Sequence, residues 1–149
     1  DPGRGFRPRL TVLIVDTGPL VAAADSADPD HEACVDILQQ ATGPLRTTAL
    51  VVAEAAYMIG RRIIAEAEAQ FFRSIADGDL RIDALLDDDL VRIADLVDIY
   101  SDLPLGGTDA SLIALAERLK QDTIATLDRR HFNVVRPAHV PGFQIVPPS

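Results

Sequence analysis

Four carboxylates stand where this chain passes from apolar to polar residues: Asp16, Glu54, Asp109 and Asp128. Asp16 follows Thr11-Val12-Leu13-Ile14-Val15, and Asp128 follows Thr123-Ile124-Ala125-Thr126-Leu127. Glu54 is the only charged residue between Ala49 and Gly60, and Asp109 opens an apolar helical pattern at Thr108-Asp109-Ala110-Ser111-Leu112. A carboxylate beside so much apolar surface costs free energy unless it is paired or holds a metal ion. Four of them, each at the edge of a different element, suggest one hard-cation site. Mg²⁺ or Mn²⁺ suits such a site, because both prefer carboxylate and water oxygens in an octahedral shell. Without the ion the acids repel one another, so at least one should have a raised pKa. With it, repulsion becomes attraction and water can be activated near neutral pH.

The elements that must position these acids follow from periodicity. Residues 11–15 and 123–127 are continuous β-branched-rich runs, the signature of strands buried on both faces of a parallel sheet. A short helix starts at Gly18-Pro19, and Asp28-Pro29-Asp30 is expected to open another that runs to about Ala41. Residues 45–47 read as a short strand. Thr47 or Thr48 should cap a helix over 50–64 that is apolar almost all round and therefore buried. A helix over 65–76, a strand over 80–83 and a helix over 90–100 come next. Thr108 should cap a helix reaching Lys120, whose Arg118 and Lys120 suit the negative helix end. Phe143–Val146 reads as a late edge strand. Strands alternating with helices indicate a three-layer α/β/α sandwich around a mainly parallel sheet. Sites in such sheets lie beyond the carboxyl ends of the strands, and Asp16 and Asp128 are each expected one residue past such an end. Asp109 shares a helix face with Leu112 and Ile113 and so should point inward, where Glu54 can join it.

Bulk properties bound the rest. A chain of 149 residues with 48% hydrophobic and 25% charged content reads as one globular domain, residues 10–149. Residues 1–9 read as a native extension or an added remnant. The net charge of −9 argues against a broad polyanion-binding surface but not against a nucleic-acid enzyme, since cations held by carboxylates supply positive charge locally. Such an acidic protein also suits a basic partner. The single cysteine, Cys34, rules out an intrachain disulfide and reads as a small apolar helix residue. No stretch approaches the ~20 apolar residues of a membrane span, and Asp16 with Gly18-Pro19 interrupts any leader-like core. A soluble, cytoplasmic protein is expected.

Blander readings compete for each acid. Asp16 could start a turn, Asp109 could meet a helix dipole, and Asp128 could cap a turn over Arg129–Phe132. Asp87-Asp88-Asp89 reads as a solvated charge run at a helix start, while Asp102 is either a loop cap or an outer acid. His31, His131 and His139 lack zinc spacing, and Gly106-Gly107 lacks the lysine of a phosphate loop. Asp16-Thr17-Gly18 resembles an aspartic protease motif, but the helical patterns over 50–64 and 108–120 oppose that all-β fold. A D-x-D phosphotransfer site fails because position 18 is Gly.

Val15-Asp16-Thr17-Gly18-Pro19-Leu20, Val52-Ala53-Glu54, Thr108-Asp109-Ala110-Ser111-Leu112 and Thr126-Leu127-Asp128-Arg129-Arg130-His131-Phe132 together resemble the PIN-domain nucleases, and among them VapC-type toxins of bacterial VapBC pairs. The likeness spans about residues 12–137 in order. It implies a metal-dependent endoribonuclease inhibited by a VapB-like antitoxin, with RNA as substrate and a homodimeric state. Asp16, Glu54, Asp109 and Asp128 match the family's acidic quartet, as catalytic and metal-binding residues, and Thr17 matches a supporting hydroxyl. The expected reaction is in-line attack of water on phosphorus, leaving 5′-phosphate and 3′-hydroxyl ends. Arg129 and Arg130 are candidates for holding RNA phosphate. A PIN nuclease of RNA processing and a noncatalytic PIN-like binding module are the alternatives.

Overall fold

The computed structural model describes residues 12–149; the expected extension over 1–9, and Thr11 of the first apolar run, lie outside the described residues. Five short strands form one sheet: β1 (Leu13–Val15), β2 (Leu45–Thr48), β3 (Arg81–Asp83), β4 (Thr123–Ala125) and β5 (Gln144–Val146). Their order is β3-β2-β1-β4-β5, and every pair is parallel. β1 is central, with Ile14 opposite Arg46 of β2 and Ile124 of β4. A strand covered on both faces and both edges has no polar surface to satisfy, which is why β1 reads as Leu-Ile-Val and is buried throughout.

Helices flank the sheet as an α/β/α sandwich. They are α1 (Thr17–Ala24), α2 (His31–Gln40), α3 (Ala49–Arg62), α4 (Ala65–Ala76), α5 (Asp87–Ile99), α6 (Gly107–Leu119) and α7 (Arg129–Val134). The centre of the molecule is α6, whose residues from Ala110 through Ala116 are all buried. It packs on α5 and α3 and against β1 and β2. Ile14, Ile59, Leu112, Ile113, Leu115, Ile124 and Phe132 are the bulky fully buried side chains around it.

Several local expectations change. α3 is not apolar all round: Leu50, Ala53, Glu54, Tyr57 and Arg61 lie along one exposed face, and Val51, Val52, Ala55, Ala56 and Ile59 along the buried one. Its many alanines hid that division, since a small side chain fits either face. Thr48 is the cap of α3, through a 3.4 Å bond from the Val51 N–H. Thr108 is not a cap, because α6 already begins at Gly107. Pro29 precedes rather than enters α2, where the Asp28 carboxylate accepts the Asp30 N–H at 2.8 Å in a turn. Asp87-Asp88-Asp89 lies inside α5 and is not uniformly solvated. Asp89 is buried, accepts the Leu86 N–H and pairs with Arg118 at 3.0 Å, so Arg118 serves an ion pair across α5 and α6 besides its helix end.

The sheet order locates the place where a site can form. The chain steps from β1 outward to β2 and β3 on one side, then returns through α5 and α6 to β4 on the other side of β1 and steps out to β5. The order therefore reverses between β1 and β4, and in such sheets a crevice forms beyond the carboxyl ends of the two strands at the reversal. There the β1–α1 and β4–α7 connections meet closely. A Cβ at Gly18 would stand 3.2 Å from the Cβ of Leu127, so any larger residue would press the two connections apart.

Candidate active site

Asp16 is the residue after β1 and the N-cap of α1. It is 6% exposed. One carboxylate oxygen accepts the Thr17 N–H at 2.7 Å and the other accepts the Thr126 hydroxyl at 2.7 Å. Neither donor is charged. Burial, outweighing those two hydrogen bonds and reinforced by the negative charges of Asp109 and Glu54, pushes the Asp16 carboxyl up from 3.8 to about 6. The expectation of at least one raised acid is met here.

Thr126 lies between β4 and Asp128. It donates to Asp16 and accepts the Asp128 N–H at 2.9 Å, so one buried hydroxyl ties the two connections together. Asp128 sits three residues beyond the end of β4, not one, because pairing stops at Ala125 and Thr126 and Leu127 intervene. There it caps α7, accepting the His131 N–H at 3.2 Å. Its anticipated capping role is therefore real, and its side chain also faces the other acids.

Asp109 enters from α6. Its Oδ2 lies 2.9 Å from Nδ1 of His131, and the same nitrogen lies 2.9 Å from Oδ2 of Asp128. Burial raises the Asp109 pKa, the bond from His131 lowers it, and the charge of Asp128 raises it again; the net direction is upward. One donor atom each from Asp109, Asp128 and His131 falls within 4.8 Å of the others. Asp16 and Glu54 are outside that tight group. Asp16 adjoins it electrostatically through Asp109. Glu54 reaches in from the exposed face of α3, its Oε2 accepting the Thr17 hydroxyl at 3.3 Å.

The four acids thus converge on one crevice: Asp16 lies near both Asp109 and Glu54, and Asp109 and Asp128 both lie against His131. Under the crevice, Thr48 and Ser111 hydrogen-bond at 2.8 Å and lock α3 to α6. His131 and Thr126 were the residues that sequence reasoning missed. His131 has no metal spacing with another histidine, but it follows Asp128 by three residues, which is one helical turn. Nothing in the local pattern marks Thr126.

Arg129 and Arg130 separate. The Arg129 guanidinium donates to the carbonyl of Pro147 and anchors the C-terminal segment, whereas Arg130 is exposed. Asp102 is exposed on the loop before α6. Cys34 is fully buried, and burial with the nearby Asp30 and Asp28 charges pushes its thiol up to about 11, which makes it unreactive as expected. A cavity of about 470 Å³ between α1, α2 and α4 is lined mainly by apolar residues such as Leu20, Leu38 and Phe71 and contains none of the four acids.

The sequence profile of the PIN domain matches residues 13–137. The chain belongs to the PIN domain family. Ribonuclease VapC26 of Mycobacterium tuberculosis is 34% identical over 135 residues, covering 91% of this chain and 100% of that protein. Two solved structures share the PIN fold. VapC20 of Mycobacterium tuberculosis, described as a sarcin-ricin loop cleaving toxin, aligns with a TM-score of 0.73 at 14% identity over 78% of this chain and 90% of its own. VapBC2 of Rickettsia felis, bound to a promoter DNA fragment, aligns at 0.62 with 13% identity over 91% of this chain and 97% of that one. No helix among the described residues is long and apolar enough to cross a membrane.

Proposed function

We propose that this PIN domain protein is a metal-dependent endoribonuclease, the toxin of a toxin–antitoxin pair, with a VapB-like antitoxin as its inhibitor. The observation that carries the reading is the acid-rich crevice at the β1–β4 switch point, in a chain that matches a VapC ribonuclease over 91% of its length.

The donor set fits a divalent cation. Asp16 is buried against neutral donors and other acids, and Asp109 is raised by burial and by Asp128, so the crevice holds an excess of negative charge that a cation would offset. Carboxylate oxygens are the donors that Mg²⁺ and Mn²⁺ select. When bound, such an ion supplies positive charge to a phosphodiester and lowers the pKa of water. Asp16 and Asp109 would hold it directly. Asp128, at the N-cap of α7, would act through water. Glu54, exposed on α3 and bonded to the Thr17 hydroxyl, would take a proton from the attacking water. The water oxygen bonds to phosphorus in line as the bond from phosphorus to the 3′ oxygen breaks. That oxygen takes up a proton from solvent water as it leaves, giving a 3′-hydroxyl and a 5′-phosphate. Arg130 would contact RNA phosphate beside the crevice.

Purified protein free of partner should cut total cellular RNA into discrete fragments with Mn²⁺ or Mg²⁺, and chelator or Asp109→Asn should abolish the cutting. End mapping would test the 5′-phosphate. Cleavage that persists in chelator would refute the metal requirement, and cleavage that persists in Asp109→Asn would refute the assigned site.

A further inference from the structure

We infer that His131 is a positioning residue: its ring holds Asp109 and Asp128 at a fixed separation and so shapes the crevice for a divalent cation. The inference rests on the metal-dependent reading above. Its geometric basis is the position of Nδ1, 2.9 Å from Asp109 Oδ2 and 2.9 Å from Asp128 Oδ2. Two carboxylate oxygens at hydrogen-bonding distance from one nitrogen make that nitrogen the donor. Its N–H is hydrogen-bonded to Asp109 while the same nitrogen lies against Asp128, so the ring stands between acids that would otherwise repel one another. The ring is 19% exposed and belongs to α7, which Phe132, at 0% exposure, anchors in the core. A stiff, planar donor on an anchored helix is suited to setting a distance between two elements.

His131 also completes a continuous chain of polar contacts. From Asp109 on α6 it passes through the His131 ring to Asp128, through the Asp128 N–H to Thr126, and through the Thr126 hydroxyl to Asp16 beyond β1. Three acids from three separate connections are thereby held in register. The backbone N–H of His131 caps nothing itself but satisfies Asp128 at its N-cap position, and any residue at 131 would keep that bond. A ring substitution therefore tests the side chain alone. Groups that orient metal-holding carboxylates typically change affinity by about 10–100-fold when removed.

The experiment is calorimetric titration of the full chain with Mn²⁺ for wild type, His131→Ala and His131→Asn, with metal-free thermal unfolding of each as a folding control. The Asn amide nitrogen can occupy roughly the place of Nδ1 and still donate. Mn²⁺ binding should weaken by about 10–100-fold in His131→Ala, and His131→Asn should recover most of the loss. Unchanged or tighter binding in His131→Ala would overturn the inference. So would a His131→Asn variant that folds yet binds no better than His131→Ala. A wild type that takes up no Mn²⁺ would instead overturn the metal-dependent reading itself, and this inference with it.

Discussion

Asp16 and Asp83 are each 6% exposed and each stands at the carboxyl end of a parallel strand, yet their surroundings are opposite. Asp83, at the end of the edge strand β3, receives both Nε and Nη2 of Arg46 from β2, the former at 2.7 Å. Asp89 on α5 has Arg118 in the same way. Asp16, beyond the central strand, has an amide, a hydroxyl and two further acids. The edge acids are neutralised by cations and belong to the scaffold. The central acid is left with surplus negative charge, which weakens the fold on its own and becomes useful when a cation arrives. Burial therefore does not distinguish a structural carboxylate from a functional one; the charge of its neighbours does.

The largest test of that contrast is Asp83→Ala. Leaving a mostly buried Arg46 without its partner should cost about 3 kcal/mol in denaturant unfolding. Asp16→Asn should move the other way. Raising a buried carboxyl from 3.8 to about 6 corresponds to roughly 3 kcal/mol at neutral pH, so the neutral amide should stabilise the metal-free protein at pH 7 by up to about that amount. The same variant should lose Mn²⁺ binding. If Asp16→Asn destabilises the fold as Asp83→Ala does, the contrast is wrong.

The pH dependence sharpens it further. The folded value of Asp16 lies above its unfolded value, so the folded chain binds the extra proton. Its contribution to stability is complete below about pH 3.8 and is lost as pH rises through about 6. Comparing metal-free wild type with Asp16→Asn over that window isolates this group: the difference between them should grow with pH and shrink on adding Mn²⁺. A difference independent of pH would remove Asp16 as the strained acid. The smallest effect concerns Arg130. Arg130→Ala should weaken binding to single-stranded RNA and reduce the slope of log affinity against log salt by about 0.7, while the fold stays intact. An unchanged slope would exclude Arg130 from phosphate contact.

The alternation of strands and helices, and the depth of β1 and β4, were legible because a strand enclosed on all sides must be a continuous apolar run. Ile14 and Ile124 could hardly have been placed elsewhere. The four acids were legible for the converse reason, as lone charges at the margins of apolar runs or, for Glu54, within one. Less could be read where small side chains or like charges left the pattern degenerate. Ala53 and Ala56 fit either face of α3, and three successive aspartates gave no sign that Asp89 alone turns inward to Arg118.

The amino-acid sequence by itself determined the α/β class and family and put three carboxylates near element boundaries and a fourth, Glu54, inside a helix, because hydrophobic period and local charge are properties of neighbours along the chain. Tertiary structure decided which carboxylates are matched by a cation and which are not. It brought Thr126 and His131 among the acids and turned Arg129 to the carbonyl of Pro147. These outcomes depend on distances between residues 18 to 110 positions apart in the chain, which no local pattern encodes.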